Sequence, residues 1–195
     1  MPGNLAADRD QLIALLAERS AKRGDFVLAS GRRSDLYVDC RLTTMSPEGQ
    51  RLLGVLGLAA LRDAGWDADA VGGLTLGADP IAYAIAHASA FAAERHEGPL
   101  VRAFTVRKQP KQHGTGKRVE GPFRAGDRVV VVEDVITTGG SALTAVEAIR
   151  AEGGVVLGVL AVVDRQEGGR EALEAAGLTV RSLATAQELV ARLGG

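Results

Sequence analysis

Cysteine occurs once in this chain, at Cys40, so neither an internal disulfide nor a multi-cysteine metal site can form. Such sparing use fits a reducing compartment, and a lone cysteine beside a strand reads as a small core residue before it reads as a nucleophile. Long apolar runs are missing too: no stretch of about 18 apolar residues offers a membrane span. Residues 1–10 lack the basic start and continuous apolar segment of a signal peptide. Neither sign of charge is in excess. Lys and Arg number 23 against 24 Asp and Glu, a formal net charge of -1, so there is no global basic footprint for nucleic acid. Any anionic ligand must be met by a local cluster. Repeats, low-complexity tracts and linkers are absent as well. With 195 residues, 46% of them apolar and 24% charged, the expectation is one α/β domain over residues 1–195 of a soluble, cytoplasmic protein.

What the chain does have is an alternation of strand and helix patterns. An amphipathic opening helix carries Leu12, Ile13, Leu15 and Leu16 and stops near Gly24. Two short strands, 26–28 and 36–39, flank a turn at 30–34. Ser46 and Pro47 form an N-cap and first-turn pair for a helix running to about Ala64. Then come strand 71–74, helix 81–93, strand 100–106 and a polar stretch over 107–124. The remainder reads as strand, helix 142–151, strand 155–163, helix 170–176, strand 178–183 and helix 186–193. Such alternation predicts a mostly parallel central sheet flanked by helices.

The most informative stretch is residues 129–141. Val129, Val130, Val131 and Val132 read as a strand buried on both faces, as in a parallel sheet. Glu133 and Asp134 follow at its carboxyl end, where open α/β sheets bind ligands. Two carboxylates there can accept hydrogen bonds from the vicinal hydroxyls of a ribose. Beyond Val135 and Ile136, the turn Thr137, Thr138, Gly139, Gly140, Ser141 offers three hydroxyls and backbone N–H groups at a helix start, an anion cradle. Together they describe a ribose-phosphate pocket; the bland alternative is a strand–turn–helix with an acidic rim. No lysine follows the glycines, which excludes a P-loop.

This stretch resembles the phosphoribosyl-pyrophosphate (PRPP) signature of the type I phosphoribosyltransferases. A basic loop narrows the resemblance. Residues 107–118 contain no acid before Glu120, and Pro110, Gly114 and Gly116 argue against a regular element. Taken alone this is a solvated loop or a binding lid. The order Arg107, Lys108, Lys111, His113, Gly114 resembles the mobile catalytic loop of the orotate phosphoribosyltransferases. Carried over, Arg107, Lys108, Lys111 and His113 would contact the pyrophosphate of PRPP, with Lys108, Lys111, His113 and Asp134 as the catalytic set. The PRPP site would comprise these four basic residues and residues 133–141.

Three further matches follow in order, so that the resemblance runs from about Phe26 to Gly169. Residues 26–34 are similar to the family's segment lining the base pocket. Tyr37 and Val38 match positions that hold the orotate ring, to which Thr137 also belongs. Arg165, in the Asp164–Gly169 segment, would grip the orotate carboxylate, for which a planar guanidinium fork is suited. The implied fold is a type I phosphoribosyltransferase fold, with an N-terminal base-binding hood over about residues 1–40 and a mobile catalytic loop at about 107–122. Implied partners are PRPP, orotate and a second copy of the chain, with the loop shared across a homodimer and neither nucleic acid nor membrane bound. Mg2+ is the implied cofactor, held mainly through PRPP, with no protein ligand assigned to it.

Two positions depart from the family pattern. Ala29 and Gly77 stand where many members have lysine. The turn 73–80 would then meet pyrophosphate through backbone N–H groups and a metal, since Gly77 allows close approach. The implied activity is phosphoribosyl transfer from PRPP to orotate, giving orotidine 5′-monophosphate. Alternatives are transfer to another base, a PRPP-sensing regulator that binds nucleic acid, and a purely structural Rossmann-like domain.

Overall fold

The computed structural model describes residues 4–27, 33–109 and 117–194, with the side chain of Val27 left aside. Helix α1 (Leu5–Leu15) passes through a π-helical turn (Leu16–Ser20) straight into strand β1 (Ala21–Val27), which pairs antiparallel with β2 (Arg33–Val38). The helix expected to reach Gly24 therefore ends earlier. The ladder, Ala21 opposite Val38, draws a polar segment with no strand-like alternation into an extended form. A short helix α2 (Arg41–Thr44), not expected from the sequence, leads into α3 (Pro47–Asp63). Ser46 caps α3 as its residue type dictates, its Oγ accepting from the Gly49 N–H at 3.1 Å, a contact of the kind worth about 1 kcal/mol.

The main sheet contains β3 (Ala70–Leu74), β4 (Arg102–Val106), β5 (Val119–Glu120), β6 (Arg128–Ile136), β7 (Val155–Asp164) and β8 (Val180–Thr185), in the order β5-β4-β3-β6-β7-β8. All neighbours are parallel except β4 and β5, so a two-residue strand lies within the polar stretch expected to be irregular. The last strand begins two residues later than its apolar pattern suggests. Leu178 belongs instead to the closure of a helix, its N–H donating to Leu173 O at 3.1 Å.

Helices cover both faces. On one side α1, α3 and α4 (Asp79–Glu94) pack with α7 (Ala186–Leu193), while α5 (Gly140–Ala151) and α6 (Gly169–Ala175) lie on the other. The four valines of β6 explain why both faces must be covered. Val130 and Val132 enter the first core, Val129 and Val131 the second, and none is exposed. Burying each contributes about 1.5–3 kcal/mol. Ligand-ready groups then gather at the carboxyl ends of β3, β6 and β7, joined by residues at the ends of β2 and β4. Among the described residues no helix is long and apolar enough to cross a membrane.

Candidate active site

A cavity of about 660 Å³ opens at those strand ends. The far end of β2 supplies Tyr37 and Val38, followed by Asp39, Cys40 and Arg41; the turn after β3 supplies Leu74, Thr75, Leu76 and Gly77. From β6 and its turn come Glu133, Asp134, Val135, Thr137, Thr138 and Ser141, and Lys108, Arg165 and Glu167 complete the wall. A smaller recess of about 40 Å³ lies against residues 135–142. It includes Ile136, Gly139 and Gly140, so the acidic pair, the hydroxyl turn and the arginine expected from sequence share one region.

Glu133 and Asp134 lie within β6, which continues to Ile136, rather than just past its end. Their surroundings are correspondingly dry. Glu133 is 5% exposed, its Oε2 has no hydrogen-bond partner among the described residues, and burial together with the charge of Asp134 pushes its pKa up to about 8. Burial also raises Asp134, whose Oδ1 accepts the Val135 N–H at 2.9 Å. A buried carboxylate oxygen without a donor is a place for a ligand hydroxyl.

The turn that follows is shaped by Gly139, the N-cap of α5, at φ 81°. This left-handed conformation is one a β-carbon would strain. It sets the start of a twelve-residue helix against the small recess, with the Thr137, Thr138 and Ser141 hydroxyls around it.

On the opposite wall, the turn between β3 and α4 is tied down by Asp79. Its two oxygens accept from Thr75 Oγ1 at 2.6 Å and Thr105 Oγ1 at 2.9 Å. Gly77 faces Asp134 directly. A β-carbon added at Gly77 would lie 2.7 Å from the Asp134 carboxylate carbon and both of its oxygens. A lysine at this position does not fit while Asp134 stays where it is.

Arg41 is a site residue that sequence reasoning missed. Its Nε and Nη2 donate to the two oxygens of Asp39 at 2.8 and 2.9 Å, which holds the Asp39 carboxyl below the usual range. The signal available was an Asp-x-Arg step at the end of β2. Cys40, between them, is 1% exposed, and burial raises its thiol well above the ordinary range. It is therefore no thiolate nucleophile.

Arg165 is also buried, at 6% exposed, and its Nη2 donates to Ser34 Oγ at 2.9 Å and Glu167 Oε1 at 2.6 Å. That contact with Ser34 joins the hairpin of β1 and β2 to the end of β7. Tyr37 is half-exposed and stacks at a tilt on Phe26, with ring centroids 5.5 Å apart. Lys108 lines the cavity, but Arg107 does not; its Nε donates to Glu120 Oε1 at 2.9 Å. Lys111, His113 and Gly114, like Ala29, lie outside the described residues.

Along the described cavity wall the acids Asp39, Glu133, Asp134 and Glu167 stand with the cations Arg41, Lys108 and Arg165, which gives no surplus of positive charge. A polyanion needs further positive charge to settle there. The described residues hold no cluster of three His, Cys, Asp or Glu able to cage a metal by themselves.

Comparison with known proteins agrees with this fold. A family model described as a phosphoribosyl transferase domain matches residues 55–185. The orotate phosphoribosyltransferase of Aquifex aeolicus is 46% identical over 189 residues, 95% of this chain and 100% of that protein. A crystal structure of Mycobacterium tuberculosis orotate phosphoribosyltransferase with Fe(III) dicitrate is 46% identical, with a TM-score of 0.80 over 93% of this chain and 98% of that one. A crystal structure of the same enzyme with PRPP is 43% identical, with a TM-score of 0.75 over 94% and 99%.

Proposed function

We propose a reaction course for this chain on the premise that it belongs to the orotate phosphoribosyltransferase family. It transfers the 5-phosphoribosyl group of PRPP to orotate, releasing orotidine 5′-monophosphate and pyrophosphate, a step of pyrimidine biosynthesis. The observation that carries the proposed course is one cavity holding buried Glu133 beside half-buried Asp134, a hydroxyl-lined helix start and a buried arginine.

In that course Glu133 and Asp134 accept the ribose hydroxyls, which supply the donor Glu133 Oε2 lacks. Residues 137–141 take the 5′-phosphate on their N–H and hydroxyl groups. Arg165 takes the orotate carboxylate, while Tyr37, Val38 and Thr137 bound the ring. Orotate N1 bonds to the ribose anomeric carbon as the bond from that carbon to pyrophosphate breaks, through an oxocarbenium-like state. No protein nucleophile is required, and the protein's task is to manage charge. Arg41 and Lys108 face the leaving pyrophosphate; Arg107, Lys111 and His113 join them on the strength of the sequence resemblance. Preorganised cations on a leaving group act as an oxyanion hole does, each worth about 3 kcal/mol.

The residues present fit Mg2+. Hard carboxylate oxygens stand at the wall without an all-protein cage, so the ion would be held mainly through PRPP oxygens, with Glu133 and Asp134 reaching it through the ribose hydroxyls. When bound it neutralises pyrophosphate charge.

Two copies form the working unit in this reading. Support comes from an aromatic stripe on α4, where Tyr83, His87 and Phe91 recur every four residues. Tyr83 and Phe91 are about half exposed, and Phe91 meets His87 edge to face at 4.8 Å. A single chain leaves that stripe in water. The reading is of one phosphoribosyltransferase domain, with its base-binding hood at about 1–40, acting in the cytoplasm. It is tested by following orotate absorbance with PRPP and Mg2+, with uracil, adenine and hypoxanthine in parallel. Loss with orotate alone is expected, and equal loss with another base contradicts it.

A further inference from the structure

Arg165 presents a half-used fork. Its Nη2 donates to Glu167 Oε1 at 2.6 Å and to Ser34 Oγ at 2.9 Å, whereas its Nε is buried and has no partner among the described residues. The Nε–Nη2 edge of a guanidinium matches the two oxygens of one carboxylate. Glu167 takes only one corner of that edge and leaves the other, a buried donor, unsatisfied. The Arg165 side chain is 5% exposed, so water does little to compensate it. Glu167, 19% exposed and only two residues along the chain, lines the same cavity and can return to solvent.

We propose that Glu167 is a specificity-determining place-holder, occupying Arg165 until a base with its own carboxylate takes the whole Nε–Nη2 edge. This rests on the reading that Arg165 receives the orotate carboxylate. Glu167 neutralises Arg165 in the empty pocket. A pyrimidine without a carboxylate leaves the Arg165–Glu167 pair intact and gains nothing from it. Orotate displaces the pair, satisfies Nε and keeps the surplus. Glu167 therefore tempers orotate binding, the opposite of what a residue that merely positions Arg165 would do.

The two roles predict opposite signs. Calorimetric Kd values for orotidine and uridine 5′-monophosphates would be measured with wild type, Glu167→Gln and Glu167→Ala. The two ligands share ribose and phosphate and differ in the base carboxylate. Both variants are expected to bind orotidine 5′-monophosphate about fivefold or more tightly, with uridine 5′-monophosphate unchanged within about twofold, each change converting through RT ln of the Kd ratio. Unchanged or weaker binding of orotidine 5′-monophosphate, or equal shifts for both ligands, overturns the place-holder role. Equal wild-type affinity for the two ligands would instead show that Arg165 does not read the carboxylate, removing the premise itself.

Discussion

Gly77 and Asp134 stand so close that the space for a β-carbon on Gly77 is filled by the Asp134 carboxylate, 2.7 Å away. The relationship links the two walls of the cavity. At Gly77 the backbone itself forms the wall beside the acidic pair. Asp134 is short, half-buried and bonded to the Val135 N–H, so it cannot swing aside freely.

Gly77→Ala is expected to displace the Asp134 carboxylate. Overpacking of this kind costs about 1–3 kcal/mol, so kcat/KM for PRPP should fall about tenfold or more with the far-ultraviolet circular dichroism unchanged. Steady-state kinetics with PRPP varied provide the check. Full activity would mean that Asp134 has slack the packing does not show.

Glu133 predicts a pH dependence of stability. Its pKa of about 8 in the folded protein lies above the ordinary 4.5, so between those values the folded state keeps a proton the unfolded state has lost. Stability therefore falls as pH rises from about 4.5 to about 8 and levels off above, by roughly 5 kcal/mol if Glu133 acts alone. Urea melts across that range should show the decline in wild type. In Glu133→Gln most of it should vanish, together with tight PRPP binding. Equal slopes in the two proteins would remove Glu133 as its source.

The proposed sharing of the basic loop between two copies predicts complementation. Lys111→Ala and Asp134→Asn proteins should each be nearly inactive, and a mixture should regain about a quarter of wild-type activity if random exchange leaves one intact site in half of the dimers. The measurement is turnover after verified subunit exchange. Absence of recovery would place the loop in its own chain's site.

The site was legible in the sequence wherever a contiguous pattern carried it. Residues 129–141 contain strand, carboxylates and cradle in one run, so burial and chemistry could be read together. Arg41 escaped because its place depends on a bidentate contact with Asp39 and on the fold bringing β2 beside β6, neither of which is periodic. Asp79 escaped for a similar reason: it acts by holding Thr75 and Thr105, 26 residues apart from the latter. In the fold, β1 was misread because a long-range ladder overrides a polar local pattern, whereas α3, with Ser46 and Pro47 at its start, declared itself.

That Arg165 reads the orotate carboxylate is the central claim, and its most direct test is kcat/KM for orotate and for uracil in wild type and Arg165→Ala. Loss of a buried charge-assisted fork predicts a fall of about 100-fold for orotate, with the slow uracil reaction left nearly unchanged. Equal loss for both bases, in protein shown to be folded, would contradict the account by making Arg165 a structural residue.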